Sequence, residues 1–551
     1  MPSANVLTYR QAGRSMNIHA LLPHRVDNIL GKLTRILFAF FTCAVWTGCT
    51  TVALDRAPES PFRPWAPTQD TSPDATPQTS QDASPDSATA PDSFAVAPDP
   101  RMAELAPGPT LDPERIYSLP ELIDLAQREH PSTRLAWNRA RQAALAVGIA
   151  EATFLPMLSA NAIWGWQRTS TPSPLTLGGL LPEDIDTELR GVAPFLSLEW
   201  LLFDFGQRRA LTDAAEHASY AANVLFNGTH QRIIHDVAHA YYTHGAALAK
   251  LQTAEQALAN SERTLEAVQA RVKAGIATTV ELALARQHVA QSKLRKVNAQ
   301  TLTHATYQGL LAAAGLPASA EIRIGGLEQR TLPRATASLT ADAIQTALSR
   351  RPDLQASYAA LAAAKAGVTA AEAAFLPKVY LAAVAGGNKN RFNLESLPTL
   401  HHRSSTSAVL IGVTVPLYDA GLRAARLKDA EIRVEDAQSI FQRAQRDAVR
   451  EIILAEDMLR SALASYHAAS ELVETTSIAH DAASEAYRNG LGTLTTALET
   501  ATSLLDAKEA RSDAYAASLS AAANLAFVMG AINTSRESWI EAPPLSLPTL
   551  R

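Results

Sequence analysis

Glu151-Ala-Thr-Phe-Leu-Pro156 returns, with one change, as Glu372-Ala-Ala-Phe-Leu-Pro377, 221 residues further along the chain. The same offset relates His130-Pro131 to Arg351-Pro352. Downstream, Phe203-Asp204-Phe-Gly206-Gln-Arg208 answers Tyr418-Asp419-Ala-Gly421-Leu-Arg423 at an offset of 215, which Gly275 and Gly490, and then Gly315 and Gly530, also share. Five landmarks kept in one order mean an internal duplication. The six residues lost from the offset fall between the Pro and the Asp, so that interval holds a loop.

Each copy of the interval carries two stretches with strand character. Leu158, Ala160, Ala162, Trp164 and Trp166 alternate with Ser159, Asn161, Gly165 and Gln167, interrupted at Ile163. Leu196, Leu198, Trp200 and Leu202 make a second set, and Ser407, Val409, Ile411, Val413, Val415 and Leu417 a fourth. The third, from Val379 to Ala385, is apolar on both parities and therefore ambiguous. Strands are expected at about 157–167, 195–204, 378–388 and 406–418, each near the length a tilted strand needs to cross a bilayer. Four such strands leave open edges that lipid cannot satisfy. Either they pack as soluble hairpins on helices, or several chains share one barrel.

The remainder reads as long helix. No Pro occurs from Gly206 to Gly275 or from Gly421 to Gly490, and Ala, Leu, Glu, Gln and Arg dominate. Ile452, Ala455, Leu459, Leu463 and Tyr466 step by three and four along one face. Each such helix would reach roughly 100 Å, and the segment after its glycine only roughly 60 Å. A second short helix, from about Pro352 to Leu376, makes up the difference when stacked end to end on it. Antiparallel helices would then form a wall with turns far from the strands. At those turns Gly275 and Gly490 would supply the positive φ that ends a helix, and Arg271 and Arg488 would complement the helix dipole.

The N-terminal part is of another kind. Residues 36–46 form an apolar run of eleven behind His24, Arg25, Lys32 and Arg35, too short to span a bilayer and suited to an export signal. It ends Trp46-Thr47-Gly48-Cys49, which resembles the processing site of bacterial lipoproteins, with Trp46 where an aliphatic residue is usual; lipidation is expected at Cys49. The only other cysteine is Cys43, so no internal disulfide is expected after cleavage. Twelve Pro between 51 and 110, with nine acidic residues against Arg56, Arg63 and Arg101, read as an extended tether whose balance accounts for the chain's net charge of -5. The expected organisation is a signal over 1–48, a tether over 49–112, repeats over 113–330 and 331–532, and a tail over 533–551.

The duplicated Phe-Leu-Pro, the Asp-x-Gly-x-Arg and the Gly turns ahead of Thr-rich helices resemble the TolC-like outer-membrane efflux proteins over about residues 116 to 532. The resemblance implies a mainly α fold with a β-barrel part, built on a duplicated helix-strand-strand-helix-helix unit. It further implies a homotrimer whose shared 12-stranded barrel in outer-membrane lipid continues as a periplasmic α-helical barrel. A periplasmic adaptor would couple it to an inner-membrane pump. On that resemblance the hairpin tips, with Arg271, Gly275, Thr278, Thr279, Arg488, Gly490, Gly492 and Thr493, would meet the adaptor. Thr496 and Glu499 fall where the family narrows its entrance with acidic side chains, and Glu281 corresponds to Thr496 in the first repeat, so that Glu281 and Glu499 would together ring the periplasmic aperture across three subunits. Asp204, Gly206, Asp419 and Gly421 mark the strand-to-helix junctions.

Several classes are set aside. There is no basic block for nucleic acid, no nucleotide-binding loop and no nucleophile elbow, so neither a nucleic-acid partner nor an enzyme is expected. His235 and His239 sit one helical turn apart, but Asp236 stands where a metalloprotease needs glutamate, and neither metal nor cofactor is expected. The alternative to a passive exit duct is a lipid-anchored periplasmic coiled-coil scaffold without a pore. Four bilayer-length alternating segments would serve no purpose in a scaffold.

Overall fold

The computed structural model describes residues 100–104, 108–172, 184–327, 331–334, 338–394 and 400–532. The expected signal, Cys49, nearly all of the tether and the tail lie outside them. The chain divides into two units at residue 107. Of the first unit only a short 3-10 turn, Pro100–Ala103, is described. The second unit carries everything that follows.

Its elements repeat. The first copy runs β1 (Ile116–Tyr117), α1 (Leu119–Glu129), α2 (Pro131–Ala152), β2 (Met157–Pro172), β3 (Asp184–Phe203), α3 (Gln207–Lys273) and α4 (Thr279–Ala313). The second runs β4 (Arg323–Ile324), α5 (Ala341–Arg350), α6 (Pro352–Ala373), β5 (Lys378–Leu394), β6 (Leu400–Thr414), α7 (Leu422–Arg488) and α8 (Leu494–Val528). Both long helices have 67 residues, both return helices 35, and both helices ahead of the strands 22. At 1.5 Å per residue these are about 100, 50 and 33 Å. No helix among the described residues is long and apolar enough to cross a membrane.

The lengths close because the short helices stack. Gly315, at φ 70°, ends α4 directly against His130, the residue that caps α2; a Cβ there would meet the His130 Cα at 2.8 Å. Gly530, at φ 66°, brings the end of α8 against Arg350 in the same way. Here Arg351 Nη1 donates to the Val528 carbonyl (3.2 Å), while Nη2 donates to Asp353 and Glu451 (both 2.7 Å). The guanidinium thus satisfies a carbonyl left open at the end of α8 and ties it to α6 and α7.

The main core lies at this level of the bundle. Leu119, Leu122 and Ile123 of α1 pack with Ile233, Ile234, Val237 and Tyr242 of α3, Leu310 and Leu311 of α4, and the end of α8 through Leu525. The stripe Ile452, Ala455, Leu459 and Leu463 enters the same core from α7, with Tyr466 beside it. The parallel β1–β4 pair lies beside it, tied to α3 where the Tyr241 hydroxyl donates to the Gly325 carbonyl.

The four longer strands form one antiparallel sheet in the order β2-β3-β5-β6, so the two repeats join through β3 and β5 and leave β2 and β6 as edges. The strands reach further outward than alternation alone indicates: β2 runs five residues past Gln167, β3 begins at Asp184 and β6 at Leu400. At the helix end β6 stops at Thr414, short of the expected 418, because Pro416 cannot donate to a ladder, and Val415 and Leu417 lie outside the strand. Polar residues such as Arg168, Thr169 and Ser170 continue the ladder without any apolar period to announce it. The ambiguous third stretch is β5, whose apolar residues on both parities are distributed to both faces of the sheet.

Candidate functional site: sheet faces, junctions and hairpin tips

The register sorts the sheet into two faces. Leu158, Leu198, Ala383 and Val409 lie side by side in one row, then Ala160, Leu196, Ala385 and Ser407 in the next. Toward the helices the same face continues through Trp200, Leu381 and Ile411 to Val379 and Val413. On the other face the rows read Ser159, Ser197, Val384, Ala408 and Asn161, Phe195, Gly386, Thr406. Along β3, Val192, Pro194 and Leu196 are exposed while Gly191, Ala193, Phe195 and Ser197 are half-buried, so the apolar face is the more open one over that stretch. An apolar face backed by a more polar one is the arrangement of a barrel wall in lipid.

The two repeated sequence motifs meet at the junctions between sheet and helices. Asp204 Oδ2 accepts from the backbone N and the Nε of Arg208, both at 2.9 Å. Arg208 Nη1 donates to the Thr153 carbonyl (2.8 Å), and its guanidinium lies 4.7 Å over the Phe154 ring. Phe154 is the aromatic of the first Phe-Leu-Pro, so that motif is the floor on which the Asp-x-Gly-x-Arg stands. The second junction repeats the plan with Asp419, Arg423 and Phe375: Arg423 Nε to Asp419 Oδ2 is 2.6 Å, Nη1 donates to the Pro416 carbonyl (2.7 Å), and the ring lies 5.3 Å away. Backbone curvature comes from paired left-handed residues, Phe205 and Gly206 at φ 53° and 92°, Ala420 and Gly421 at 53° and 87°. Only the glycine takes that conformation without cost. The copies differ in depth: side-chain exposure is 9% and 6% for Arg208 and Asp204, against 13% and 27% for Arg423 and Asp419.

At the opposite ends of the long helices are the two tips. Gly275 (φ 75°) and Gly490 (φ 76°) each close a helix, with Ile276 N donating to the Arg271 carbonyl (2.9 Å) and Leu491 N to that of Ala486 (2.8 Å). Thr278 caps α4, and a Thr followed three residues later by Glu is the sequence signal for this cap. Glu281 Oε2 accepts from Thr278 N at 2.7 Å. Thr493 caps α8 with Thr496 in the corresponding place: Thr496 N donates to Thr493 Oγ1 (3.2 Å) and the two hydroxyls are 3.0 Å apart. Glu499 is exposed.

Within one subunit the tips are joined to each other. Arg271 Nη1 donates to the Tyr487 carbonyl (3.3 Å) and its guanidinium lies 4.8 Å over the Tyr487 ring. Tyr487 packs with Val268, Ala285, Leu494 and Ala497 in a second small core, and burial pushes its hydroxyl above the usual tyrosine range. Arg271 therefore faces the sister tip, whereas Arg488, Thr279, Gly490, Gly492 and Thr493 remain exposed. The tips also present side chains that motif reading passed over: Ile276 is 66% exposed, Val280 65% and Leu491 86%. Exposed large aliphatics on a turn are the signal that would have found them.

Elsewhere, His235 and His239 stack with centroids 6.3 Å apart, Asp236 Oδ1 lies 2.9 Å from His235 Nδ1, and burial holds His239 below the usual histidine range. No group of three His, Cys, Asp or Glu among the described residues could hold a metal ion.

Comparison with known proteins agrees with this architecture. The family described as outer membrane efflux protein matches residues 122–316 and 343–531, one segment in each repeat and together more than half of the chain. Protein CyaE of Bordetella pertussis is 27% identical over 430 residues, covering 78% of this chain and 86% of its own. Outer membrane protein OprJ of Pseudomonas aeruginosa is 26% identical over 345 residues, 62% of this chain and 70% of its own. Among solved structures, a membrane protein from Pseudomonas aeruginosa superposes with a TM-score of 0.64 at 24% identity, covering 75% of this chain and 92% of that one. The outer membrane protein VceC from Vibrio cholerae gives 0.62 at 22% identity, covering 76% and 97%. The chain belongs to the outer membrane efflux protein family.

Proposed function

We propose that three copies of this chain close one barrel in the outer membrane and continue it into the periplasm as a helical duct. The chain is an outer-membrane exit channel by family; its assembly and partners are our reading. The observation that carries the reading is a four-stranded sheet with two open edges, β2 and β6, and one apolar face. Unpaired backbone groups along both edges are not tolerated in lipid, so neighbouring copies must pair β6 with β2. Two copies would give about eight strands, an interior that side chains fill, and three about twelve, which leaves a lumen. The lipid-anchored scaffold has no use for an apolar sheet face.

In this reading the energy comes from an inner-membrane pump, engaged through an adaptor that docks on the tips at Ile276, Val280 and Leu491. Glu499, three times over, lines the periplasmic mouth. Cys49 carries the lipid anchor. The test of the assembly is cross-linking. Asn161 of β2 and Thr406 of β6 lie in the same row at opposite edges, and no cysteine lies beyond Cys49 in the chain. With cysteine scanned through neighbouring positions of both edges, a short thiol cross-linker should give covalent trimers. Only monomer-internal products, or a ladder that passes three, would refute the shared barrel.

A further inference from the structure

Past the apolar rows, and past the small residues Ala162, Pro194, Gly387 and Ser405, the same face changes character. The two rows beyond are Trp164, Val192, Lys389, Arg403 and Trp166, Arg190, Arg391, His401. Arg190, Lys389, Arg391, His401 and Arg403 are all exposed. At the same height the opposite face carries Ile163, Ala193, Asn388, Ser404 and Gly165, Gly191, Asn390, His402. The cations are thus concentrated on the outside of the wall, where they cannot tune what passes through the lumen.

Two further observations point to a ligand. Lys389 stands directly opposite Arg403, with Arg391 two residues further along β5 on the same face. Like charges placed directly across strands oppose the pairing that holds them, and an anion lying over the pair would turn that repulsion into attraction. The height also fits. From Val379 to Lys389 is ten residues of β5, about 26 Å along the membrane normal for a strand tilted about 40° at 3.4 Å per residue, against an apolar band about 25 Å tall. Trp164 and Trp166 occupy the same two rows, and such residues mark the water interface.

We propose that Lys389, Arg391 and Arg403 form a binding surface for the phosphates of an anionic glycolipid headgroup in the outer leaflet. The proposal rests on the barrel reading above. Its occupant is a membrane lipid, because the cations continue the lipid-facing surface and the helices leave the sheet at its other end, beside Phe203 and Thr414. The competing counter-ion would be a carboxylate of the chain itself, and the experiment separates the two.

The full-length assembled protein is reconstituted into phosphatidylethanolamine vesicles containing a fluorescent diphosphorylated glucosamine lipid (lipid A), or the same lipid after enzymatic removal of its phosphates. Energy transfer from the sheet tryptophans reports enrichment around the protein. Enrichment of the phosphorylated lipid should fall about tenfold or more in the triple variant Lys389→Gln, Arg391→Gln, Arg403→Gln, with assembly and single-channel conductance unchanged. Separately, the single variant Lys389→Gln should weaken it by a smaller factor. Equal enrichment of the phosphorylated and dephosphorylated lipids, or no loss in the triple variant, would overturn the proposal and leave the chain's own acids as the counter-ions. Failure of the unsubstituted protein to assemble or conduct would instead overturn the barrel reading beneath it.

Discussion

Replacing Arg208 by Gln should cost the fold about 3–5 kcal/mol, whereas the same change at Arg423 should cost about 1–2 kcal/mol. Both arginines hold an aspartate four residues back, a carbonyl and an aromatic ring, so the chemistry removed is the same. The difference lies in what is left behind. At the first junction the Asp204 carboxylate is 6% exposed and would lose its counter-ion in a site water barely reaches. Asp419, 27% exposed, can recruit water. Denaturant unfolding in detergent, followed by the fluorescence of Trp200, gives the measurement; its Nε1 donates to the Phe154 carbonyl (2.8 Å) within the first junction. Adding Asp204→Asn to Arg208→Gln should recover a large part of the loss, since the stranded charge is then gone. Equal losses at both junctions, or no recovery in the double variant, would refute the argument from depth.

Gly315→Ala should cost clearly more than Gly275→Ala. Both break a positive φ, worth about 1–2 kcal/mol, but at Gly275 nothing lies within 4 Å of the added carbon, whereas at Gly315 it strikes the His130 backbone; thermal unfolding of each variant decides it. Glu499→Ala should alter single-channel conductance and its block by divalent cations without changing stability. Glu281→Ala should cost about 1 kcal/mol through the lost cap of α4. Ile276→Asp with Leu491→Asp should abolish retention of the adaptor while leaving assembly and conductance intact, because both side chains are exposed in the free chain. Burial beside Asp506 and Asp513 raises the Glu509 carboxyl above its usual range, against the opposing pull of Arg295 and Lys250. A raised carboxyl favours the fold below its unfolded pKa and loses that contribution as pH rises through the folded value. Glu509→Gln should therefore stabilise the protein at neutral pH and make no difference in strong acid, as melting curves across that range will record.

Much of this architecture is legible in the residues. The duplicated hexapeptide, the two glycine offsets and the three- and four-residue steps from Ile452 to Tyr466 report on local backbone and on one buried face, which short patterns encode directly. The stacking of α4 on α2 and of α8 on α6 follows from helix lengths alone, since 67 residues need a partner that 35 cannot supply. What is hidden is contact across sequence. Nothing near Phe154 says that Arg208 will lie on it, 54 positions on, or that Arg271 will turn to Tyr487 in the other repeat. The join of β3 to β5 is equally silent, because both neighbours of either strand carry the same alternation. Glu281 is a different lesson. Its fit to an acidic mouth and its fit to a helix cap are written in the same residue, and the hydrogen bonds to Thr278 favour the cap.

The most direct test of the shared duct is the planar-bilayer conductance of the detergent-purified protein, with its mass determined in the same detergent. The account predicts stable trimers and discrete, uniform channels; water-soluble monomers that leave the bilayer silent would contradict it.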